Sequence, residues 1–203
     1  MTKLSPPARI LEAARELFCR DGIHATGIDK VLAEAKVSKM TLYSRFGSKE
    51  ALVRAVLERE GEEWRQRLFA ALARPGPPLV KLRGIIPALR AWFESGHFYG
   101  CAFMNAVGEH RKDEAWLRDM AAAHHREILA RFGALADEAG YAAPALLAKQ
   151  LLLLMDGAIA AMMVSAKPEA LDVAALNLEA ILNAAPRRQP AAALVPAPIA
   201  KAG

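Results

Sequence analysis

Lys36-Val37-Ser38-Lys39-Met40-Thr41-Leu42-Tyr43-Ser44-Arg45-Phe46-Gly47-Ser48-Lys49 reads as a short helix with a sharp start and a sharp stop. Ser38 occupies an N-cap position, where its hydroxyl accepts from an amide one turn on. Val37 precedes the cap and Leu42 follows it by four, the spacing of a hydrophobic staple. Gly47 stands where a left-handed C-terminal stop belongs. Ser48, with Glu50 in the next turn, opens another helix. At about 100° per residue, Leu42 and Phe46 share one side above Val37, whereas Met40 and Ser44 point the other way and Thr41 and Tyr43 flank them. No Asp or Glu occurs between Ala35 and Lys49. A helix this short does not stand alone in water, so its apolar side must dock on other helices. Its outward side is small, hydroxylated and cationic, which suits insertion into a DNA major groove. The plainer alternative is a surface helix whose charges are merely solvated.

The preceding residues favour the first reading. Residues through Pro7 read as a lead-in, and Arg9 to Asp21 carries Ile10, Ala13, Ala14, Leu17 and Phe18 as one apolar stripe. Gly22 stops it. Thr26-Gly27-Ile28-Asp29 has the form of a capping box, followed by Ile28, Val31, Leu32 and Ala35 at helical spacing. Helix, short helix, tight turn, short helix is the helix-turn-helix layout, with its second member offered to the groove.

The run Arg9-Ile-Leu-Glu-Ala-Ala-Arg-Glu-Leu-Phe18, then Gly22 and Thr26, then Val37 through Leu52, resembles the N-terminal domain of TetR-type (tetracycline-repressor family) transcriptional regulators. The resemblance covers about the first quarter of the chain. It implies that Lys39, Met40, Thr41, Tyr43 and Ser44 approach bases and phosphates, with Ser38 and Arg45 beside them. It also implies that Lys49 clamps a phosphate at the positive end of the next helix. Thr26 is expected to cap the support helix and to approach the DNA backbone. Two positions depart from the family pattern: Ile23, where an aromatic is usual, and Arg45, where His or Tyr is common.

Beyond the head, Ser48 to Leu72 reads as one long helix lined by Leu52, Val53, Val56, Leu57, Trp64, Leu68 and Leu72, ended by Arg74-Pro75-Gly76-Pro77-Pro78. Leu79 to Phe93 is helical, with Pro87 predicting a kink or an interruption. Gly100 to Glu109 resembles the short helix that many members of the family place beside a ligand cavity. Asp113 to Gly140 is a long helical stretch, and Pro144 and Pro168 open two more helices. Leu151 to Met155 with Ile159, Met162, Met163 and Val164 is apolar over most of a circumference, which favours a subunit contact. Lys149, Gln150 and Asp156 interrupt this run short of the roughly 18 apolar residues of a membrane span. In the family the last two helices pair with their copies in a second subunit.

The expected architecture is therefore all-α: a helix-turn-helix head over residues 1–54, with its linking helix continuing to about 73, a ligand-binding and dimerisation body over 55–183, and a Pro/Ala-rich disordered tail over 184–203. A hydrophobic content of 54% with few aromatics and no period-two alternation fits helices rather than sheet. The net charge of +5 is compatible with nucleic-acid binding. No basic-then-apolar signal opens the chain, so a cytoplasmic protein is expected.

Trp92, Phe93, Phe98, Phe103 and Met104 are the candidate apolar lining of a ligand cavity, with His97, Asn105, Glu109 and His125 as polar groups and Cys101 beside them. Cys101 is also the candidate thiol for a redox-responsive regulator, although no cationic neighbour in sequence lowers its pKa. The histidines show no His-x-x-x-His pairing and the two cysteines no Cys-x-x-Cys, so neither metal nor cofactor is expected. No Gly-rich phosphate loop, nucleophile elbow or acid–base pair calls for an enzyme. An architectural DNA-compacting protein leaves the large aromatic body unexplained. The expected partners are operator DNA, a small and mostly apolar effector, and a second copy of the chain through about 144–183.

Overall fold

The computed structural model describes residues 4–110 and 114–189. Within them the chain forms α1 (Pro6–Asp21), α2 (Ile28–Ala35), α3 (Lys39–Phe46), α4 (Lys49–Leu72), α5 (Pro78–Leu82), α6 (Ile85–Phe93), α7 (Ala102–Glu109), α8 (Ala115–Glu138), α9 (Pro144–Ser165) and α10 (Glu169–Ala184). No strand occurs among the described residues; Tyr141 and Arg187 form an isolated bridge.

The head is α1 to α3 with the first turns of α4. Ile10, Ala14, Leu17 and Phe18 of α1 meet Val31 and Ala35 of α2 and Leu42 of α3 in one buried cluster. α1 starts earlier than its apolar stripe: Ser5 accepts from the Ala8 amide, and Pro6 and Pro7 take the first two helical positions. Those amides lack an intrahelical partner in any helix, so proline costs nothing there. Thr26 does not cap α2. Gly27 holds the cap position without a side-chain bond, while Thr26 is buried and donates to the Leu17 carbonyl at 3.3 Å. The hydroxyl thus ties the α1–α2 connection to α1.

α4 runs from the head into the body, burying Leu57, Trp64, Leu68 and Leu72. The break that Pro87 predicts falls at Arg83-Gly84, between α5 and α6. Proline lacks the amide that would bond the Arg83 carbonyl, and its ring would press on that carbonyl. The chain turns one helical turn upstream of the proline.

α8, α9 and α10 pack as neighbours and carry most of the body's core, including Phe132, Leu135, Leu151, Ile159, Leu178 and Leu182. By length and composition α9 is apolar enough to cross a membrane, so its interrupting charges do not exclude a span on that measure alone. In the fold Leu147, Leu151, Met155, Ile159 and Met162 of α9 are buried. Its other side is open, with Leu153 74% exposed, and Leu176 of α10 is 73% exposed.

The stretch expected to be a free tail from residue 184 begins docked. Ala184 ends α10, Tyr141 donates to the Leu182 carbonyl at 2.9 Å, and the Arg187 guanidinium lies 3.7 Å from the centre of the Tyr141 ring. Arg188 bonds the Asp137 carbonyl and its carboxylate. The rest of the expected tail, 190–203, lies outside the described residues.

Candidate functional site

Two regions gather the candidate residues, one on the head and one inside the body. On the head, Lys36 closes α2 in the left-handed region at φ 54°, and its amide donates to the Ala33 carbonyl. The turn leads into Ser38, whose Oγ accepts from the Thr41 amide at 3.3 Å and lies 2.9 Å from the Thr41 hydroxyl. Gly47, at φ 77°, ends α3 and sends its amide to the Tyr43 carbonyl. A side chain at that φ would crowd its own backbone.

Between these caps Leu42 is fully buried and Phe46 is packed against the core. The opposite side carries Lys39, Met40, Tyr43, Ser44 and Arg45, all exposed, with Met40 at 81% and Thr41 half-buried at the edge. The helix therefore presents two cations, a thioether, a phenol and hydroxyls to solvent on one convex face. Basic and hydroxylated groups on a narrow helix match phosphates and base edges. Two expected contacts are placed differently. Thr26 is inside the head, and Lys49 is half-buried with its Nζ donating to the Ile23 carbonyl at 2.7 Å. Lys49 thus holds the α1–α2 connection to the start of α4.

In the body, α4, α6, α7, α8 and α9 converge on a small internal cavity of about 20 Å³. Glu60, Gly61 and Trp64 come from α4, Trp92 from α6, Cys101 and Phe103 from the start of α7, His124 from α8, and Met155, Asp156 and Ile159 from α9. Trp64 and Trp92 lie 4.4 Å apart between ring centres, and Phe103 stacks on His124 at 4.5 Å and 22°. Gly61 makes the second stack possible: a Cβ there would stand 2.9 Å from the Phe103 ring and 3.2 Å from His124.

The polar groups have distinct states. Arg65 donates to His124 Nδ1 at 3.1 Å; a guanidinium only donates, so the imidazole is neutral with its proton on Nε2. Burial first, then the Arg65 and His125 charges, push the His124 pKa down to about 4. Glu60 is held by Arg15 at 2.8 Å. Burial raises the Asp156 pKa, opposed by His125, whose Nε2 is 3.4 Å away. Cys101 is buried, and burial raises its pKa; Cys19 is pushed up to about 12 by burial and by Glu60. At both positions burial favours the protonated thiol over the thiolate.

Of the residues expected to line the cavity, Trp92, Cys101 and Phe103 do so. Phe98 packs outside, edge-on to Trp92 and Phe93. Asn105 braces the loop before α7 by donating to the Tyr99 carbonyl, and His97 is exposed. Met104 packs against the core without lining the cavity, and His125 adjoins it through Asp156, 3.4 Å away, and the His124 ring, 5.9 Å away. The residues missed are Glu60, Gly61, Trp64, Ala102, His124, Met155, Asp156 and Ile159. Asp156 carried a readable signal, as the lone charge between Lys149 and Lys167 in an apolar helix.

Head and body also touch directly. Glu109, at the end of α7, accepts from the His24 amide at 3.0 Å, and His24 and His110 rings lie 4.7 Å apart. Tyr99 donates to Glu16 at 3.1 Å, and the Arg54 guanidinium sits 3.9 Å from the centre of the Trp116 ring.

Residues 10–56 match the sequence profile of the bacterial regulatory proteins of the tetR family. The chain is 38% identical over 71 residues to the HTH-type transcriptional regulator UidR of Escherichia coli, 35% of this chain and 33% of that one. It is 33% identical over 125 residues to the HTH-type transcriptional repressor SCO4008 of Streptomyces coelicolor, 57% of this chain and 61% of that one. It thus spans about a third to three fifths of these curated relatives. Over nearly the whole length, it superposes on SCO4454, a TetR-family transcriptional regulator from Streptomyces coelicolor, with a TM-score of 0.82 and 30% identity, covering 88% of this chain and 94% of that one. A putative regulator of the same type from Streptomyces avermitilis follows at 0.78 and 27%, covering 91% and 100%. With a matching head and a matching full-length fold, the chain belongs to the TetR family of transcriptional regulators.

Proposed function

We propose that this protein is a cytoplasmic, homodimeric repressor that binds operator DNA through α3 and leaves it when a small, mostly apolar effector enters the body. The observation that carries this reading is the two-sided α3, anchored by Leu42 and presenting Lys39, Met40, Tyr43, Ser44 and Arg45 to solvent. Thr41 and Ser38 serve as much to shape the helix as to contact DNA. The head is residues 1–54 and the body 55–183, joined through α4.

The second copy docks on the open side of α9 and α10. A groove of about 670 Å³ there is lined by Leu153, Leu154, Ala158, Val173, Ala174 and Ile181. An apolar face of this kind is a subunit contact in a soluble chain. Two heads then reach major grooves about one helical turn or more apart on a partly palindromic site. Release requires only that the effector bind more tightly to the form with displaced heads. α7 supports this coupling, because Phe103 lines the cavity at one end and Glu109 holds the head at the other.

Fluorescence anisotropy on DNA from upstream of the protein's own gene, against scrambled DNA over a salt series, tests the reading. Tight, selective binding with two subunits per site supports it. Weak binding that ignores sequence and vanishes with salt points instead to an operator elsewhere or to an architectural role.

A further inference from the structure

Exposed large apolar side chains gather on α9 and α10, the face proposed for a second copy; on the helix-turn-helix pair they are Met40 and Tyr43 of α3. Met40 is the more open of the two at 81% exposed, and its thioether is at most a weak acceptor. The hydroxyls around it are engaged: Ser38 and Thr41 lie 2.9 Å apart, and Ser44 donates to the Thr41 carbonyl at 3.1 Å. α3 holds no Asn, Gln, Asp or Glu. It therefore lacks the amide that pairs with adenine and the carboxylate that accepts from cytosine. A recognition helix meets the bases mainly with its N-terminal residues. Here those are an ammonium, Lys39, and an apolar side chain, Met40.

We infer that Met40 selects thymine, an inference that rests on the proposal that α3 reads the operator: its side chain packs on the C5-methyl group of one thymine in each half-site. That methyl is the apolar group that base edges show in the major groove. Cytosine and the purines present donors and acceptors there, which a thioether strips of water without pairing them. Discrimination at this position thus comes from apolar burial rather than from hydrogen bonding. Removing one methyl group from water is worth about fourfold in affinity. Lys39, about 100° round the helix, adds the charge that holds α3 in the groove. The proposed dimer repeats the thymine contact symmetrically in the two half-sites.

Selection of random-sequence duplex DNA on the full-length protein supplies the site, and fluorescence anisotropy then follows single changes within it. Each thymine is replaced in turn by deoxyuridine, which pairs alike but lacks the C5-methyl group. One thymine per half-site should respond, each replacement weakening binding by about fourfold. Met40→Ala should bind the thymine duplex about as weakly as the wild type binds the deoxyuridine duplex, and should not distinguish the two. The wild-type deoxyuridine series stands by itself if Met40→Ala fails to fold. A response that survives in Met40→Ala overturns the inference, because another side chain, such as Thr41, then meets the methyl. A preferred sequence in which no thymine responds overturns the inference and keeps the operator reading. Selection that returns no preferred sequence removes both.

Discussion

The carboxylate of Glu109 accepts a hydrogen bond from the amide of His24 at 3.0 Å, joining residues 85 apart in sequence and tying the end of α7 to the α1–α2 connection. The same carboxylate is 3.7 Å from His24 Nδ1. A small side-chain bond therefore sits where the body's motion would reach the head.

Glu109→Ala should release that connection. The Glu109 side chain is 28% exposed, so the bond contributes only about 1 kcal/mol after screening. The sensitive readout is hydrogen exchange at the His24 amide, which should accelerate, while exchange in α9 stays unchanged. An unaltered His24 rate would mean that the contact does not hold the head.

On α3 the two faces separate recognition from folding. Tyr43→Ala and Lys39→Ala should weaken operator binding without altering the helical circular dichroism, and Lys39→Ala should lessen its salt dependence by about one phosphate contact. Ser38→Ala should cost about 1 kcal/mol of stability through the lost cap. Lys49→Ala should weaken DNA binding and also lower the head's melting temperature, because Lys49 holds the Ile23 carbonyl. Unfolding by Tyr43→Ala would show that the ring is core and that α3 faces the other way.

The open face of α9 and α10 predicts the effect of a charge placed there. Leu153→Glu should convert a dimer into a folded monomer in sedimentation velocity, and operator affinity should fall with it. The side chain is exposed in the single chain, so helix content should persist. A dimer that survives would place the subunit contact elsewhere.

His124 makes stability depend on pH. Its pKa is about 4 in the fold against 6.5 ordinarily. Above 6.5 both folded and unfolded chains are neutral there and nothing changes. Between about 6.5 and 4 the unfolded chain takes up the proton first, so stability falls with falling pH, by up to about 3 kcal/mol. Urea denaturation of the wild type and His124→Gln across this range should differ in slope, the variant being flatter. Parallel curves would refute the buried neutral imidazole. Asp156, whose pKa is raised, acts in the opposite direction, and the paired comparison separates the two.

What the sequence determined by itself is the head. Its caps, its staple and its turn are made by residues within a few positions of one another, so Ser38, Leu42, Gly47 and Ser48 could be assigned their places from spacing alone. Helix count in the body was legible for the same reason, since proline and apolar period act locally. Thr26 and Lys49 escaped that logic: the hydroxyl and the ammonium each found a carbonyl on a different element, Leu17 and Ile23. The cavity escaped it altogether. Glu60, Phe103, His124 and Asp156 meet only because α4, α7, α8 and α9 pack around one point, nearly a hundred residues from first to last. Apolar content close in sequence, such as Phe98 and Met104, pointed to the right neighbourhood but not to the lining. Which face of each helix turns inward there depends on the volumes of partners far away in the chain, and that was decided by tertiary packing.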